Sequence, residues 1–248
     1  MSFKLLCALA SALALPACGA GSQPVSEAEA ETAVQTTSPG DPARPVVVEL
    51  FQSQGCSSCP PAIANVNAIA DRPDVLALTF AVTYWDRLGW KDTFADPAFT
   101  DRQWKYARAG GRPNVFTPQV IVNGRTSIVG ARRAQLDEAL RATRPLTGSP
   151  RIDGDADKVV VHVGRTSEPA TVWLVRFDPR SQQVAIGNGE NGGRTIAHRN
   201  VVRQLVRLGR WTGTEMRFTL PASPARNLTN AVLVQGGEAG PIIAARRF

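Results

Sequence analysis

This chain of 248 residues is poor in the side chains from which most metal and cofactor sites are built. It has two histidines, two methionines and four cysteines, and 6% of its residues are aromatic. His162 and His198 lie in neither a His-x-x-x-His nor a Cys-x-x-His pattern, so we expect no metal site. We expect no bound cofactor either. The glycine-rich segment 187–193 lacks the Gly-Lys-Ser/Thr of a nucleotide-binding loop and is interpreted as a hairpin loop.

Apolar runs long enough to cross a membrane are also missing, and the one N-terminal run is short. Lys4 precedes the apolar and small residues Leu5–Leu15, a pattern typical of a signal peptide over residues 1–19. The sequence Leu-Pro-Ala-Cys that ends at Cys18 resembles the lipobox of bacterial lipoproteins, which implies that Cys18 is acylated. Cleavage without lipidation and a retained anchor are the alternatives. We therefore expect a periplasmic or cell-envelope protein, anchored to the membrane if Cys18 carries lipid.

Residues 20–45 lack a hydrophobic period and contain small, polar and acidic residues with four prolines. This composition is typical of a disordered tether. Loss of Cys7 with the signal peptide and acylation of Cys18 would leave Cys56 and Cys59 as the thiols of the mature chain. A lone cysteine pair in an exported protein is either a disulfide or a redox couple.

Positive charge is concentrated in the second half of the chain. Residues 151–248 hold 13 Arg and 1 Lys against 8 acidic residues, so they carry most of the net charge of +7. A basic surface could meet anionic lipid head groups or an acidic partner, or it could be a solvated strand face. Aromatic and basic residues do not interleave as they do in nucleic-acid-binding proteins, so no nucleic acid is expected.

The stretch VVVELFQSQGCSSCPP, residues 46–61, carries the clearest chemical signal. A β-branched strand and a four-residue turn lead to Cys56 and Cys59, and two prolines then open a helix. A thiol in the first turn of a helix faces unpaired N–H groups and the positive end of the helix dipole, which favour the reactive thiolate. We predict that Cys56 attacks and Cys59 resolves. A structural disulfide or half of a metal site is the alternative.

Hydrophobic periodicity then predicts alternating strands and helices as far as residue 145. Asp96 is predicted to cap a helix that opens with Pro97, and Asn123-Gly124 to form a hairpin turn. The predicted helices cover residues 59–71, 96–109 and 136–143, and the predicted strands cover residues 46–51, 75–82, 118–122 and 126–129.

Beyond residue 146 the pattern changes to short period-two runs without long helices, which predicts a small β-sandwich. Residues 201–208 fit either a helix or a strand, and their surroundings favour a strand. The predicted strands also cover residues 159–163, 171–177, 184–186, 216–220, 231–235 and 242–245.

This order of elements resembles that of thioredoxin-like proteins, with Thr117-Pro118 where that family has its cis-proline. The chain from Val46 to Phe248 also resembles a family of secreted bacterial proteins, domain of unknown function 1223. The matching runs are ELFQSQGCSSCPPA, TYWDRLGWKDTFADPAFTDRQ, FTPQVIVNG, GENGGRTIAHRNVVR and QGGEAGPIIAA. The resemblance implies an exported α/β thioredoxin-like domain, residues 46–145, followed by a small all-β, sandwich-like domain, residues 146–248.

The resemblance also implies roles for single residues. Pro118 would form a cis peptide bond, whereas the sequence alone favours trans. The backbone of Thr117 would then pair with an extended partner segment beside the sulfurs. Glu49 could be a buried proton acceptor for Cys59 or a solvent-facing strand residue.

Trp85 and Trp90 follow the second predicted strand, at the end where α/β folds place ligand crevices. They could form an aromatic rim that grips a partner, or they could complete the core. The predicted function is that of an exported thiol–disulfide oxidoreductase acting on protein thiols or disulfides. A non-catalytic binding module with a structural disulfide and a carrier of a soft metal such as copper are the alternatives.

Overall fold

The computed structural model describes residues 44–146 and 150–248. The predicted signal peptide, Cys18 and all but the last two residues of the predicted tether lie outside the described residues. The described residues contain three short α-helices, α1 (Pro60–Asn67), α2 (Pro97–Ala109) and α3 (Arg133–Ala142), and one 3-10 turn, Asp86–Leu88. Within the described part of the chain, none of the helices has the length and apolar character needed to cross a membrane.

Strands make up most of the regular structure. In chain order they are β1 (Val46–Gln52), β2 (Val75–Ala81), β3 (Gln119–Val122), β4 (Thr126–Ile128), β5 (Ile152–Gly154), β6 (Lys158–Val161), β7 (Ala170–Asp178), β8 (Gln182–Ala185), β9 (Thr195–His198), β10 (Val201–Trp211), β11 (Met216–Thr219), β12 (Thr229–Gly236) and β13 (Ile242–Arg247).

Eight of these strands form one mixed sheet in the order β13-β12-β7-β10-β2-β1-β3-β4. β1 runs parallel to β2 and antiparallel to β3. β10 joins the two halves of the chain, because Val201 pairs with Thr79 of β2 and the Thr79 N–H donates to the Asn200 carbonyl at 2.9 Å. β2 is therefore paired with β1 along its length and with β10 at Thr79.

The expected α/β thioredoxin-like domain followed by a small all-β domain is therefore wrong as a fold class. The protein is mostly β, and four strands from the second half extend the sheet begun by the first. Periodicity had indicated most of the strands, including β10. It could not indicate which strand lies beside which, because backbone hydrogen bonds pair any two strands of suitable register.

α2 packs against one face of this sheet and contributes side chains to the core there. Phe99 and Tyr106 of α2 are buried in one cluster with residues of β1, β2, β7 and β12. The two ends of the sheet also approach each other, since the Ile242 N–H of β13 donates to the Asn123 carbonyl after β3 at 2.9 Å. The sheet thus curls around α2, and strands from both halves share one core.

The other face of the sheet is covered in two parts. α1, α3 and the β8–β9 hairpin contribute to a cluster with β1, β2 and β3. The three-stranded sheet β11-β6-β5 packs with β7, β12 and β13 in a separate cluster around Trp211. The cysteine pair belongs to the first of these clusters, so its position depends on α1 and on the β8–β9 hairpin.

Two local predictions are confirmed. The Asp96 side chain accepts a hydrogen bond from the Ala98 N–H at 2.8 Å and caps α2, which begins at Pro97. Asn123 and Gly124 lie in the β3–β4 turn with φ of 47° and 64°, and Arg125 completes the connection. A Cβ at residue 124 would lie 2.4 Å from the Gly240 carbonyl oxygen, so this turn also needs glycine for the close approach of β13.

A buried polar network ties α2 to both halves of the sheet. The Arg102 guanidinium donates to Glu49 of β1 at 2.7 Å and to the Tyr106 hydroxyl at 3.2 Å. Tyr106 also donates to Glu49 and accepts from the Gln235 amide of β12 at 2.8 Å. The side chains of Arg102 and Glu49 are 2% and 0% exposed. A charged pair this deep is stable only when both partners are present.

We expect Arg102→Met to lower the free energy of unfolding by about 3–5 kcal/mol, because the Glu49 carboxylate would be buried without its cation. Urea denaturation at neutral pH measures this change. The double variant Glu49→Leu/Arg102→Met should recover most of the loss, since it removes both charges. As a control, Arg133→Met breaks an exposed pair with Asp137 and should cost less than about 1 kcal/mol. Equal losses for Arg102→Met and Arg133→Met would contradict the structural role of the buried pair.

Candidate functional site

The candidate site is the disulfide between Cys56 and Cys59, whose Cα atoms are 5.4 Å apart. The predicted layout is confirmed here: β1 and a turn lead to Cys56, and Cys59 is the N-cap of α1. The turn is held by hydrogen bonds from the Cys56 N–H to the Ser53 carbonyl and from the Cys59 N–H to the Cys56 carbonyl, both at 3.1 Å. Both cysteines are fully buried, whereas the two serines between them are exposed.

Thr117 lies directly against this disulfide. The Thr117–Pro118 peptide bond is cis, as the family resemblance implied. The Thr117 hydroxyl donates to Cys56 Sγ at 3.3 Å and accepts from the Trp85 indole N–H at 2.8 Å. The Ser58 hydroxyl also lies 3.3 Å from Cys56 Sγ. Trp85 therefore orients Thr117, and hydroxyl groups on two sides surround the Cys56 sulfur.

Trp90 and Asp92 support the turn that carries Cys56. The Trp90 indole N–H donates to the Gln54 side-chain carbonyl at 2.9 Å. The Asp92 carboxylate accepts from the N–H groups of Gln54 and Phe94 at 2.7 and 2.8 Å. Asp92 is 3% exposed, and burial raises its pKa to about 6 although these two hydrogen bonds act in the opposite direction. Both predicted tryptophans thus have their N–H groups bonded inside the protein, and their role in gripping a partner stays a prediction.

The glycine-rich loop, residues 187–193, completes the site from the second half of the chain. The buried Asn191 amide donates to the carbonyls of Gln54 and Cys56 at 2.9 and 2.8 Å. The exposed Glu190 carboxylate accepts from the Ser57 N–H at 3.1 Å and from the Ser57 hydroxyl at 2.6 Å. Sequence reasoning predicted a hairpin loop here and missed both side chains. Polar residues among glycines were the available signal, but nothing in the sequence indicates partners about 135 residues earlier.

The loop packs closely on Trp90. A Cβ at residue 187 would lie 3.2 Å from a ring atom of Trp90, and a Cβ at residue 189 would lie 3.2 Å from its Cβ. Gly189 also has φ of 74°, which favours glycine. The glycines therefore let the loop backbone approach Trp90 and place Glu190 and Asn191 at the cysteine turn.

Glu49 lies in the buried network with Arg102 and Tyr106, in the layer filled by α2. Its neighbours in β1, Val48 and Leu50, point to the opposite face and pack in the cluster with both cysteines. Among the described residues, the contacts of the Glu49 carboxylate are with Arg102 and Tyr106 and none is with Cys59. Its predicted role as proton acceptor for Cys59 stays a prediction, and these contacts favour a structural role.

Neither histidine contacts the cysteine pair. His198 is fully buried against the ring of Phe94, and burial lowers its pKa to about 4. His162 lies near Asp153 and Glu215, in the second half of the chain. In residues 44–146 and 150–248, no group of three or more His, Cys, Asp or Glu side chains is placed to hold a metal ion.

A cleft of about 630 Å³ lies near the other end of β1, beside the Asn123 turn. Arg125, Arg144 and Arg165 line it together with apolar residues of β3 and β13. Among the described residues, its lining contains no cysteine, histidine or carboxylate. The disulfide is therefore taken as the candidate site.

The sequence profile of a family described as "Protein of unknown function (DUF1223)" matches residues 47–235. The chain belongs to this family. This DUF1223 protein is also similar to the crystal structure of protein AGR_C_4864 from Agrobacterium tumefaciens. The two are 31% identical, with a TM-score of 0.67, over 84% of this chain and 94% of the other.

A second solved structure, HBP35 of Porphyromonas gingivalis, is similar in fold alone. It is 14% identical to this DUF1223 protein, with a TM-score of 0.56, over 84% of this chain and 76% of the other. A search of curated proteins finds no match. The family and the fold are therefore shown, and the function has to be argued from the site.

We expect the stability of the wild type to depend on Asp92 between pH 4 and 7. Its folded-state pKa of about 6 lies above the ordinary value of 3.8. The stability that comes from protonated Asp92 is therefore present below pH 4 and lost as the pH rises through 6. Urea denaturation measures the free energy of unfolding of the wild type and of Asp92→Asn at each pH. Between pH 4 and pH 7 the wild-type value should fall, relative to that of Asp92→Asn, by an amount on the order of 2 kcal/mol. The exposed control Asp157→Asn should follow the wild type, and a constant difference between wild type and Asp92→Asn would contradict the prediction.

Proposed function

We propose that this protein is a thiol–disulfide oxidoreductase that exchanges disulfides with other proteins through Cys56 and Cys59. The single observation that carries the proposal is the hydrogen bond from the Thr117 hydroxyl to Cys56 Sγ, at a cysteine pair whose second member is the N-cap of α1. A structural disulfide does not need a hydroxyl donor aimed at one sulfur. A thiolate does, because hydrogen bonds to the charged form lower the thiol pKa.

The proposed exchange proceeds in two steps. In the reduced protein the Cys56 thiolate attacks one sulfur of a substrate disulfide, forming a mixed disulfide and releasing the other substrate sulfur as a thiolate that takes a proton. The Cys59 thiolate then attacks Cys56 Sγ, and the second substrate sulfur leaves as a thiol. The substrate gains two electrons and two protons, and the Cys56–Cys59 disulfide forms; the reverse sequence oxidises a substrate dithiol.

Cys56 is the attacking residue in this proposal because the polar contacts of the pair converge on its sulfur. Thr117 and Ser58 both lie at 3.3 Å from Cys56 Sγ. The Cys59 N–H donates to the Cys56 carbonyl at 3.1 Å, and Cys59 is the N-cap of α1, which fixes the position of the resolving residue. Since both sulfurs are buried, attack on a protein substrate requires local movement around the exposed Ser57 and Ser58.

A second candidate function is a binding module whose disulfide is structural. Complete burial of both cysteines favours it, because exposed sulfurs exchange more readily. In that case Trp85, Trp90 and the basic second half would contact the partner, and the pair would never turn over. The soft-metal carrier has less support, since no third ligand lies beside the pair within the described residues.

Cys59→Ser should trap substrate proteins as mixed disulfides on Cys56, because the resolving thiol is gone. Non-reducing gels and mass spectrometry of the protein expressed in a bacterial envelope would reveal these adducts. Cys56→Ser is the matched control and should trap none. Absence of adducts with Cys59→Ser, together with a pair that dithiothreitol reduces only after unfolding, would reject the oxidoreductase in favour of the binding module.

We also propose that the protein acts in the periplasm or cell envelope and is held to a membrane by lipid on Cys18. The support is the sequence of residues 1–19, since the described residues begin at residue 44. Cys18→Ser should move the protein from the membrane fraction to the soluble envelope fraction. Labelling with a clickable palmitate analogue should fail in the same variant. If the wild type carries no palmitate label and is already in the soluble envelope fraction, lipidation is rejected. Export with cleavage of the signal peptide and no lipid would then be the route.

A further inference from the structure

The glycine-rich loop brings an uncompensated negative charge to the cysteine turn. Glu190 accepts two hydrogen bonds from Ser57, the residue that follows Cys56, and these bonds lower the pKa of the Glu190 carboxyl group. Glu190 is therefore ionised at neutral pH. Within residues 44–146 and 150–248, no lysine or arginine forms an ion pair with it.

Glu190 accepts a hydrogen bond from the Ser57 N–H, which could otherwise donate to a thiolate at Cys56. A backbone N–H that donates to a cysteine sulfur stabilises a negative charge on that sulfur. Here the Ser57 N–H is already bonded to Glu190, and a like charge nearby disfavours ionisation of the Cys56 thiol. Glu190 and Thr117 therefore act on Cys56 in opposite directions.

Asn191 makes the loop and the cysteine turn one structural unit. Its amide bridges the carbonyls of Gln54 and Cys56, and its side-chain carbonyl accepts from Arg194 at 2.9 Å. Asn191 is fully buried, so these bonds are shielded from water, and their loss would leave the Gln54 carbonyl without this donor and the Cys56 carbonyl with only the Cys59 N–H. Through these hydrogen bonds, a change of charge at Cys56 alters the stability of a loop that lies about 135 residues further along the chain.

We propose that Glu190 is a positioning residue that opposes thiolate formation at Cys56 and couples the redox state of the cysteine pair to closure of the glycine-rich loop. When a dithiol reduces the pair, the reductant becomes a disulfide, the Cys56–Cys59 bond breaks and each sulfur takes a proton. Ionisation of Cys56 then places two negative charges on either side of Ser57. Because coupling between two sites is reciprocal, the thiolate loosens the loop by as much as the closed loop disfavours the thiolate.

The inference rests on the proposed function in one respect only, namely that the pair can be reduced in the folded protein. It does not require a protein substrate. In the oxidised state the closed loop contacts the turn of a fully buried disulfide, and in the reduced state an opened loop would expose Cys56 to a partner. The loop would therefore control which redox state can dock a substrate.

The test compares Glu190→Gln with its parent in a Cys7→Ser/Cys18→Ser/Cys59→Ser background, where Cys56 is the single thiol. Glutamine keeps a hydrogen-bond acceptor for Ser57 and removes the charge. Iodoacetamide alkylation of the phosphine-reduced chain, followed from pH 5 to 9, reports the thiolate fraction. We expect Glu190→Gln to react about three- to tenfold faster at pH 6, with its profile shifted to lower pH. Thr117→Val should shift the profile in the other direction, and the exposed control Glu138→Gln on α3 should leave it unchanged.

The second measurement is amide deuterium exchange of residues 187–193. It uses the full chain, with Cys56 and Cys59 intact, in the oxidised and the dithiol-reduced states. Exchange should be faster after reduction in the wild type, and the increase should be smaller in Glu190→Gln. Asn191→Ala should give fast exchange in both redox states, whereas the control Asn227→Ala, at an exposed residue between β11 and β12, should behave as the wild type.

The outcomes separate this inference from the proposed function. Identical pH profiles for Glu190→Gln and its parent, or loop exchange that ignores the redox state, overturn the inference even if Cys59→Ser traps substrates. A shifted profile with redox-dependent exchange but no trapped substrate supports the inference and rejects the oxidoreductase. A pair that is reduced only after unfolding overturns both.

Discussion

The buried ion pair between Glu49 and Arg102 is the constraint on which the rest of this fold depends. Both groups are removed from water, so each charge would cost several kcal/mol without the other. Through Tyr106 the same network reaches Gln235, on a strand from the far end of the chain. β1, α2 and β12 must therefore assemble together, which explains why the two halves share a core.

The cysteine site is likewise built from separate segments of the chain. Its sulfurs follow β1, its hydroxyl donor comes from Thr117 before β3, and its outer cover comes from Glu190 and Asn191 in the second half. Three separate segments thus meet at one disulfide. Because these segments are in contact, we infer that the redox state of the two sulfur atoms affects a surface loop. A site confined to one turn and one helix would have no such connection.

Sequence reasoning was most successful where the cause is local. The Asp96 cap, the Asn123-Gly124 turn and the helix after Cys59 follow from side-chain and backbone preferences within a few residues. It was wrong about the fold class and missed Asn191. Those features depend on contacts more than 100 residues apart, such as that of Thr79 with Asn200, for which a single sequence carries no signal.

The sequence by itself determined the positions of most strands and helices, the family, and the chemical identity of the site as a cysteine pair beside a Thr-Pro dipeptide. Only the tertiary structure decided that one sheet continues through both halves, that Glu49 pairs with Arg102, and that a distant loop covers Cys56. The physical reason is that an alternating pattern specifies which face of a strand is buried. It leaves open which strand lies alongside, because every backbone offers the same donors and acceptors.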